Sequence, residues 1–176
     1  PLRGRPPIAR AAGAVAISDY LRNLRARIGH DVLLTPGVAA VIVNDRGEVL
    51  LQRRSDDGRW GLPGGAMEPG EEPAETLVRE VLEETALRVV PERIVGVYSG
   101  PDFRVRYENG DEAVIVSITF ACRPGPSEPR VNDDESLELR YFAPDALPVM
   151  EPRHLMRIAD ALAHDPRARF RRPASN

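Results

Sequence analysis

Residues Gly65–Leu87 read GAMEPGEEPAETLVREVLEETAL, and the spacing within this run decides the reading of the whole chain. Gly65 is followed by Glu71, then by Arg79-Glu80, Val81, Leu82 and Glu83-Glu84. Pro73 suits the first turn of a helix, and the pattern predicts a helix over 73–85. Projected at about 100° per residue, Ala74, Leu77, Val78, Val81 and Thr85 share one face. Glu80, Glu83 and Glu84 fall on an adjoining arc, because residues three and four apart are neighbours on a helix. Such a helix packs one side on a sheet and aims its acids along the edge. Three clustered carboxylates repel one another unless a cation sits against them. A hard divalent ion, which takes oxygen ligands and brings substrate phosphates with it, answers that need. A solvated acidic face paired with arginines is the plainer alternative, and the run Arg79–Glu84 taken alone favours it.

The segment resembles the Nudix box, G-x5-E-x7-R-E-U-x-E-E-x-G-U with U a bulky apolar residue. Gly65, Glu71, Arg79, Glu80, Val81, Glu83, Glu84 and Leu87 match it, while Ala86 replaces the late glycine. The flanking layout, from about Gly37 to Pro148, also resembles bacterial members of the family. The resemblance implies an α/β fold, the Nudix α/β/α sandwich with a mixed central sheet. It implies Mg²⁺ or Mn²⁺ held by Glu80, Glu83, Glu84 and the Gly65 carbonyl, with Glu83 or Glu84 as candidates to deprotonate the attacking water. Members of the family often recruit one further acid from a loop. Glu135 is the first candidate for that catalytic role and Glu112 the second. Gly64 and Gly65 let the backbone turn tightly and approach the metal. Arg79 lies about 40° around the helix from Glu83, and is expected to pair with Glu71 and orient the loop. The family glycine at position 86 often needs a left-handed backbone, so alanine there predicts a slightly altered helix end with the ligands intact.

Working outward, Ser18 can cap a helix reaching about Gly29, with Tyr20, Leu21, Leu24 and Ile28 on one side. Val38–Val43 reads as a buried strand, Asn44–Gly47 as a turn and Glu48–Arg53 as the returning strand of a hairpin. A strand kinked at Pro91 is expected over 88–99, the clearest strand over 113–122, and another over 137–142. A loop is expected over 123–134. Pro152–His164 looks helical, with Leu155, Met156, Ile158, Ala159 and Leu162 available for packing. Strands with a helix on each side suggest a three-layer sandwich on their own account. Arg53, Arg54, Arg59, Arg104, Arg106 and Tyr107 flank the box and are candidates to contact phosphate or base. His30, His154 and His164 lie away from the box and receive no role.

The domain organisation expected is a leader over 1–17, a single domain over 18–165 and a mobile basic tail over 166–176. With 176 residues and a net charge of −3, nothing suggests a nucleic-acid or membrane-surface binder. All 24 basic residues are arginine, which excludes lysine Schiff-base chemistry. Cys122 is the lone cysteine, so no intrachain disulfide is possible; it reads as a buried bystander. No apolar run approaches the roughly 18 residues of a membrane span, and the N-terminus lacks the long apolar middle of a signal peptide. A cytoplasmic protein is expected, and a homodimer by family analogy. The leading function is metal-dependent hydrolysis of the pyrophosphate linkage of a nucleoside diphosphate derivative, with ADP-ribose-like sugar nucleotides or (deoxy)nucleoside triphosphates favoured. A weakly catalytic, nucleotide-sensing Nudix module is the alternative. Such modules usually lose box acids, and this chain keeps them all.

Overall fold

The computed structural model describes residues 18–107 and 109–171. The leader and residues 172–176 lie outside the described part. The elements run α1 (Asp19–Ile28), β1 (Leu33–Ile42), β2 (Val49–Arg54), β3 (Trp60–Gly61), α2 (Pro73–Thr85), β4 (Val89–Tyr98), a 3-10 turn (Pro101–Phe103), β5 (Arg104–Arg106), β6 (Glu112–Pro124), β7 (Ser136–Phe142) and α3 (Pro152–Leu162).

Two sheets form. In the larger, β6 lies between β1 and β4 and also carries β5. The β1–β6 pair is parallel, while β4 and β5 run antiparallel to β6, so the sheet is mixed. The smaller sheet orders β3-β2-β7, all antiparallel. The continuous apolar run of β1 is buried on both faces, as befits a central strand with parallel pairing. Val38, Ala40 and Ile42 pack with Leu77 and Val81 of α2, and Ala39 and Val41 with Ile158 and Ala161 of α3. One helix on each face gives the α/β/α sandwich. Cys122 is buried in the first of these clusters.

Several local expectations change. The β1–β2 hairpin does not form: the strands enter different sheets and meet only at a Val43–Val49 bridge. Both edges of β1 are already taken. One pairs with β6, and the other receives the box loop through Val38 N–H to Gly65 O (2.9 Å) and Ala40 N–H to Pro63 O (2.9 Å). Ala74 is exposed, and Thr76 and Glu84 are buried in its stead. On α3, Leu155, Met156 and Ala159 face outward, and the buried face is Arg157, Ile158 and Ala161. The kink in β4 is present as a register shift between Pro91 and Arg93. The described start of the tail is pinned: Arg169 bonds both ways with the edge of β4 at Val95 and Val97 (2.8 and 3.0 Å). Among the described residues no helix is long and apolar enough to cross a membrane.

Candidate active site

Helix α2 begins at Pro73 behind a capping box between Glu72 and Glu75. Its exit is regular: Ala86 adopts a left-handed backbone (φ 53°, ψ 14°), and its N–H reaches Leu82 O at 2.9 Å. The altered helix end expected at this position is therefore absent; alanine takes the glycine conformation. The terminal carbonyls, which lack intrahelical donors, are met by the loop after β6. Arg130 N–H bonds Thr85 O (2.9 Å), Asn132 N–H bonds Glu84 O (3.3 Å) and Asn132 Nδ2 bonds Glu83 O (3.1 Å). This tether brings Asp133 and Glu135 toward the acids of the helix.

Glu84 is 5% exposed. Its carboxylate accepts from Gln52 Nε2 (3.1 Å) and from the Gly64 N–H (2.9 Å). Gln52 is in turn fixed by Ser136 Oγ, which donates to Gln52 Oε1 at 3.1 Å. Burial pushes the Glu84 pKa up to about 8; Gln52 and Gly64 oppose that shift, and the charges of Glu80 and Asp133 reinforce it. Burial likewise raises Glu80 to about 7 against the pull of Arg79, with Glu83 and Glu135 adding repulsion. Glu83 stays outside, its side chain 58% exposed, with Arg79 Nη1 at 3.3 Å.

Arg79 spans the acids. Its Nε and Nη2 donate to the two oxygens of Glu71 (2.6 and 2.9 Å), and Nη1 donates to Glu80 (3.0 Å). Glu71 also accepts from the Glu68 N–H (3.0 Å) and Thr76 Oγ1 (2.8 Å), so the bidentate pair clamps the loop to the helix. The Arg79 guanidinium holds the Glu71 carboxyl down at about 2. A Cβ on Gly65 would run into the Glu80 carboxylate, and one on Gly64 (φ 142°) into Val38 O. These two glycines are there because side chain and backbone come that close.

The remaining candidates divide. Glu112 is engaged by both Arg104 and Arg106, whose Nε atoms lie 2.7 and 2.8 Å from it. Glu135, by contrast, sits where its charge acts on Glu80. Arg54 pairs with Asp56 (2.9 Å), Arg53 donates to Gly58 O (3.2 Å) and Arg59 to Glu151 (3.0 Å). Tyr107 is exposed at 37% and lies within reach of the charges of Arg54, Arg25, Asp56 and Arg153. Tyr107 and Arg54 thus share a basic neighbourhood with α3, and the field of Arg54 also reaches Glu84.

Two residues that bear on the site, the buried Gln52 and the half-buried His154, carry no expectation from the sequence. Gln52 carried a signal, as the polar end of the otherwise apolar run Val49-Leu50-Leu51. His154, set apart from the box in sequence, in fact accepts from the Leu62 N–H at 3.1 Å, in the strap leading into the box.

As they stand, no three His, Cys, Asp or Glu side chains among the described residues converge closely enough to hold an ion. The donor set nonetheless fits a hard cation. It offers only oxygen ligands, and burial with mutual repulsion disfavours the charged forms of Glu80 and Glu84 unless positive charge arrives.

A sandwich whose box loop and helix present these acids is the architecture of a phosphoanhydride-cleaving hydrolase, and comparison with known proteins agrees. The NUDIX domain profile matches residues 33–164, and the chain belongs to the Nudix family. It is 35% identical over 126 residues to a MutT-like protein of Streptomyces ambofaciens, covering 71% of this chain and 75% of that one. It is 34% identical over 131 residues to an ADP-ribose pyrophosphatase of Methanocaldococcus jannaschii, covering 72% and 73%. The solved MutT NUDIX hydrolase from Burkholderia pseudomallei superposes with a TM-score of 0.60 at 27% identity, over 72% of this chain and 97% of that one. The protein is an enzyme acting on phosphoanhydride bonds.

Proposed function

We propose that the chain is a Mg²⁺- or Mn²⁺-dependent pyrophosphohydrolase that cleaves the diphosphate linkage of a nucleoside diphosphate derivative. An ADP-ribose-like sugar nucleotide and a (deoxy)nucleoside triphosphate are the leading substrates. The observation that carries this reading is the pair of mutually repelling carboxylates, the buried Glu84 and the half-buried Glu80, on one helix beside the box loop. Glu80, Glu83, Glu84 and the Gly65 carbonyl would hold the cation. When bound it would supply neutralisation of the diphosphate and acidification of a water. Arg79 and Glu71 keep the loop and helix in register. Gln52 and the Gly64 N–H orient Glu84. Glu83, Glu84 and Glu135 are the candidates to take the proton of the attacking water, and Arg54, Arg59 and Tyr107, with Arg53 and Arg104 flanking, to bind the nucleotide. Similarity to an ADP-ribose pyrophosphatase supports the first substrate class. The acids of the box are common to both classes, so the choice rests with the basic neighbourhood of Arg54 and Tyr107.

The test is a panel of nucleoside diphosphate derivatives assayed with Mg²⁺ and with Mn²⁺, wild type beside Glu83→Gln and Glu84→Gln. We expect hydrolysis by wild type and a loss of at least about a hundredfold in kcat for one of the variants. No turnover of any compound, or full activity in both variants, refutes the proposal. Tight nucleotide binding without turnover would favour the sensing module.

A further inference from the structure

The segment joining β3 to the box does more than connect. Within six residues, Trp60–Gly65, it pairs with β2, lines the edge of β1, donates Gly64 N–H to Glu84 and seats Glu80 against Gly65. Its path is set at Leu62, which is 6% exposed. The Leu62 N–H finds its acceptor in His154 Nδ1, on the first turn of α3. A buried N–H without a partner is costly, so this bond fixes where the strap leaves β3.

The imidazole is held in one state. Its Nδ1 also accepts from Arg157 Nη2 at 3.0 Å. With two donors aimed at Nδ1, the ring proton must reside on Nε2. Burial and the charges of Arg157, Arg153 and Arg54 press the His154 pKa down to about 2, so the ring is a neutral acceptor throughout the working range. Arg157 is itself 5% exposed. It donates to Ser117 Oγ (3.2 Å) and Arg153 O (3.0 Å) and lies 5.5 Å from the centre of the Phe103 ring. No carboxylate pairs with it among the described residues, which makes His154 Nδ1 one of the few acceptors it has. Gly61 completes the fit, since a Cβ there would stand 3.2 Å from His154 Cε1.

We propose that His154 is a positioning residue for the acids of α2, acting through the Leu62 and Gly64 amides with Arg157 enforcing its tautomer. This couples α3, on one face of the sheet, to the acid-bearing helix on the other. It rests on the pyrophosphohydrolase reading only for its kinetic consequence.

The test compares His154→Asn with His154→Gln, two polar replacements of similar size. Asparagine Oδ1 stands as many bonds from the backbone as histidine Nδ1 and can take over the acceptor; glutamine Oε1 is one bond too far out. With a diphosphate substrate, His154→Asn should keep kcat within about threefold of wild type, and His154→Gln should lose at least about tenfold in kcat with KM little changed. By amide hydrogen exchange, Leu62 and Gly64 should exchange faster in the glutamine variant than in the asparagine variant, with the core amides of β6 unchanged. Equal kcat and equal exchange in the two variants overturn the proposal, as does a glutamine variant of wild-type kcat. Should wild type hydrolyse no diphosphate, the functional reading fails while the exchange comparison still decides this one. If glutamine unfolds the protein, His154→Ala, which removes the acceptor outright, decides: faster exchange confined to the Leu62 and Gly64 amides supports the proposal, and protection of both equal to wild type overturns it.

Discussion

Glu84 and Glu80 are the residues whose state governs this molecule, and their energetics have a measurable sign. In the unfolded chain each titrates near 4.5; folded, they stand at about 8 and about 7. Below pH 4.5 both states carry the proton and no penalty exists. As pH rises, the unfolded chain releases its protons first, so the folded state binds more protons and loses stability until the folded pKa values are passed. Glu71 works in the opposite sense: held at about 2, it adds stability above 4.5 that is lost only on strong acidification. Metal-free protein should therefore show a falling Tm between pH 5 and 8.5. Glu84→Gln should flatten the fall, and Mg²⁺ should raise Tm more at pH 8.5 than at pH 5. Thermal melts across that range check it, and a Tm that climbs steadily to pH 8.5 contradicts it. The box acids were legible because their spacing is dictated by one helix. Gln52 and His154 were not assigned, since each reaches the site from a different element, and no periodicity within α3 tells which main-chain N–H a histidine will meet.

At the scale of the element, α2 shows how local rules suffice. Pro73 at the start, the Glu72–Glu75 capping box and the apolar stripe ending at Thr85 set both its ends. The left-handed Ala86 is the one strained position in it. An L-residue there costs about 1–2 kcal/mol relative to glycine, partly offset by the greater freedom of glycine in the unfolded chain. Ala86→Gly should therefore stabilise the fold by about 1 kcal/mol, a rise of about 2–4 °C in Tm for a chain of this size. Calorimetry measures it directly, and a lower Tm would mean that the alanine methyl is packing usefully. Strand β1 shows the contrary case. Its apolar run announces a buried strand, yet its partner β6 lies far along the chain, and the pattern of β1 is compatible with any neighbour. The short turn at Asn44–Gly47 suggested a hairpin; it was the occupation of both β1 edges, by β6 and by the Pro63–Met67 loop, that sent β2 into the second sheet.

For the whole molecule, the sandwich places two helices on opposite faces of one sheet and lets loops from three directions meet at the acid-bearing edge. The loop after β6 caps α2 and delivers Asp133 and Glu135. The smaller sheet delivers Gln52 and Arg54, and α3 reaches the strap before the box through His154 and the Leu62 N–H. The three-layer arrangement could be read from the order of strands and helices; the convergence could not, because it depends on contacts between segments remote in sequence. The central claim is that one helix gathers carboxylates to hold a divalent cation. Electron paramagnetic resonance of added Mn²⁺ tests it without any choice of substrate. Wild type should deplete the free-ion signal, and the folded triple variant Glu80→Gln/Glu83→Gln/Glu84→Gln should leave it undiminished; depletion by the triple variant equal to that by wild type would contradict the account.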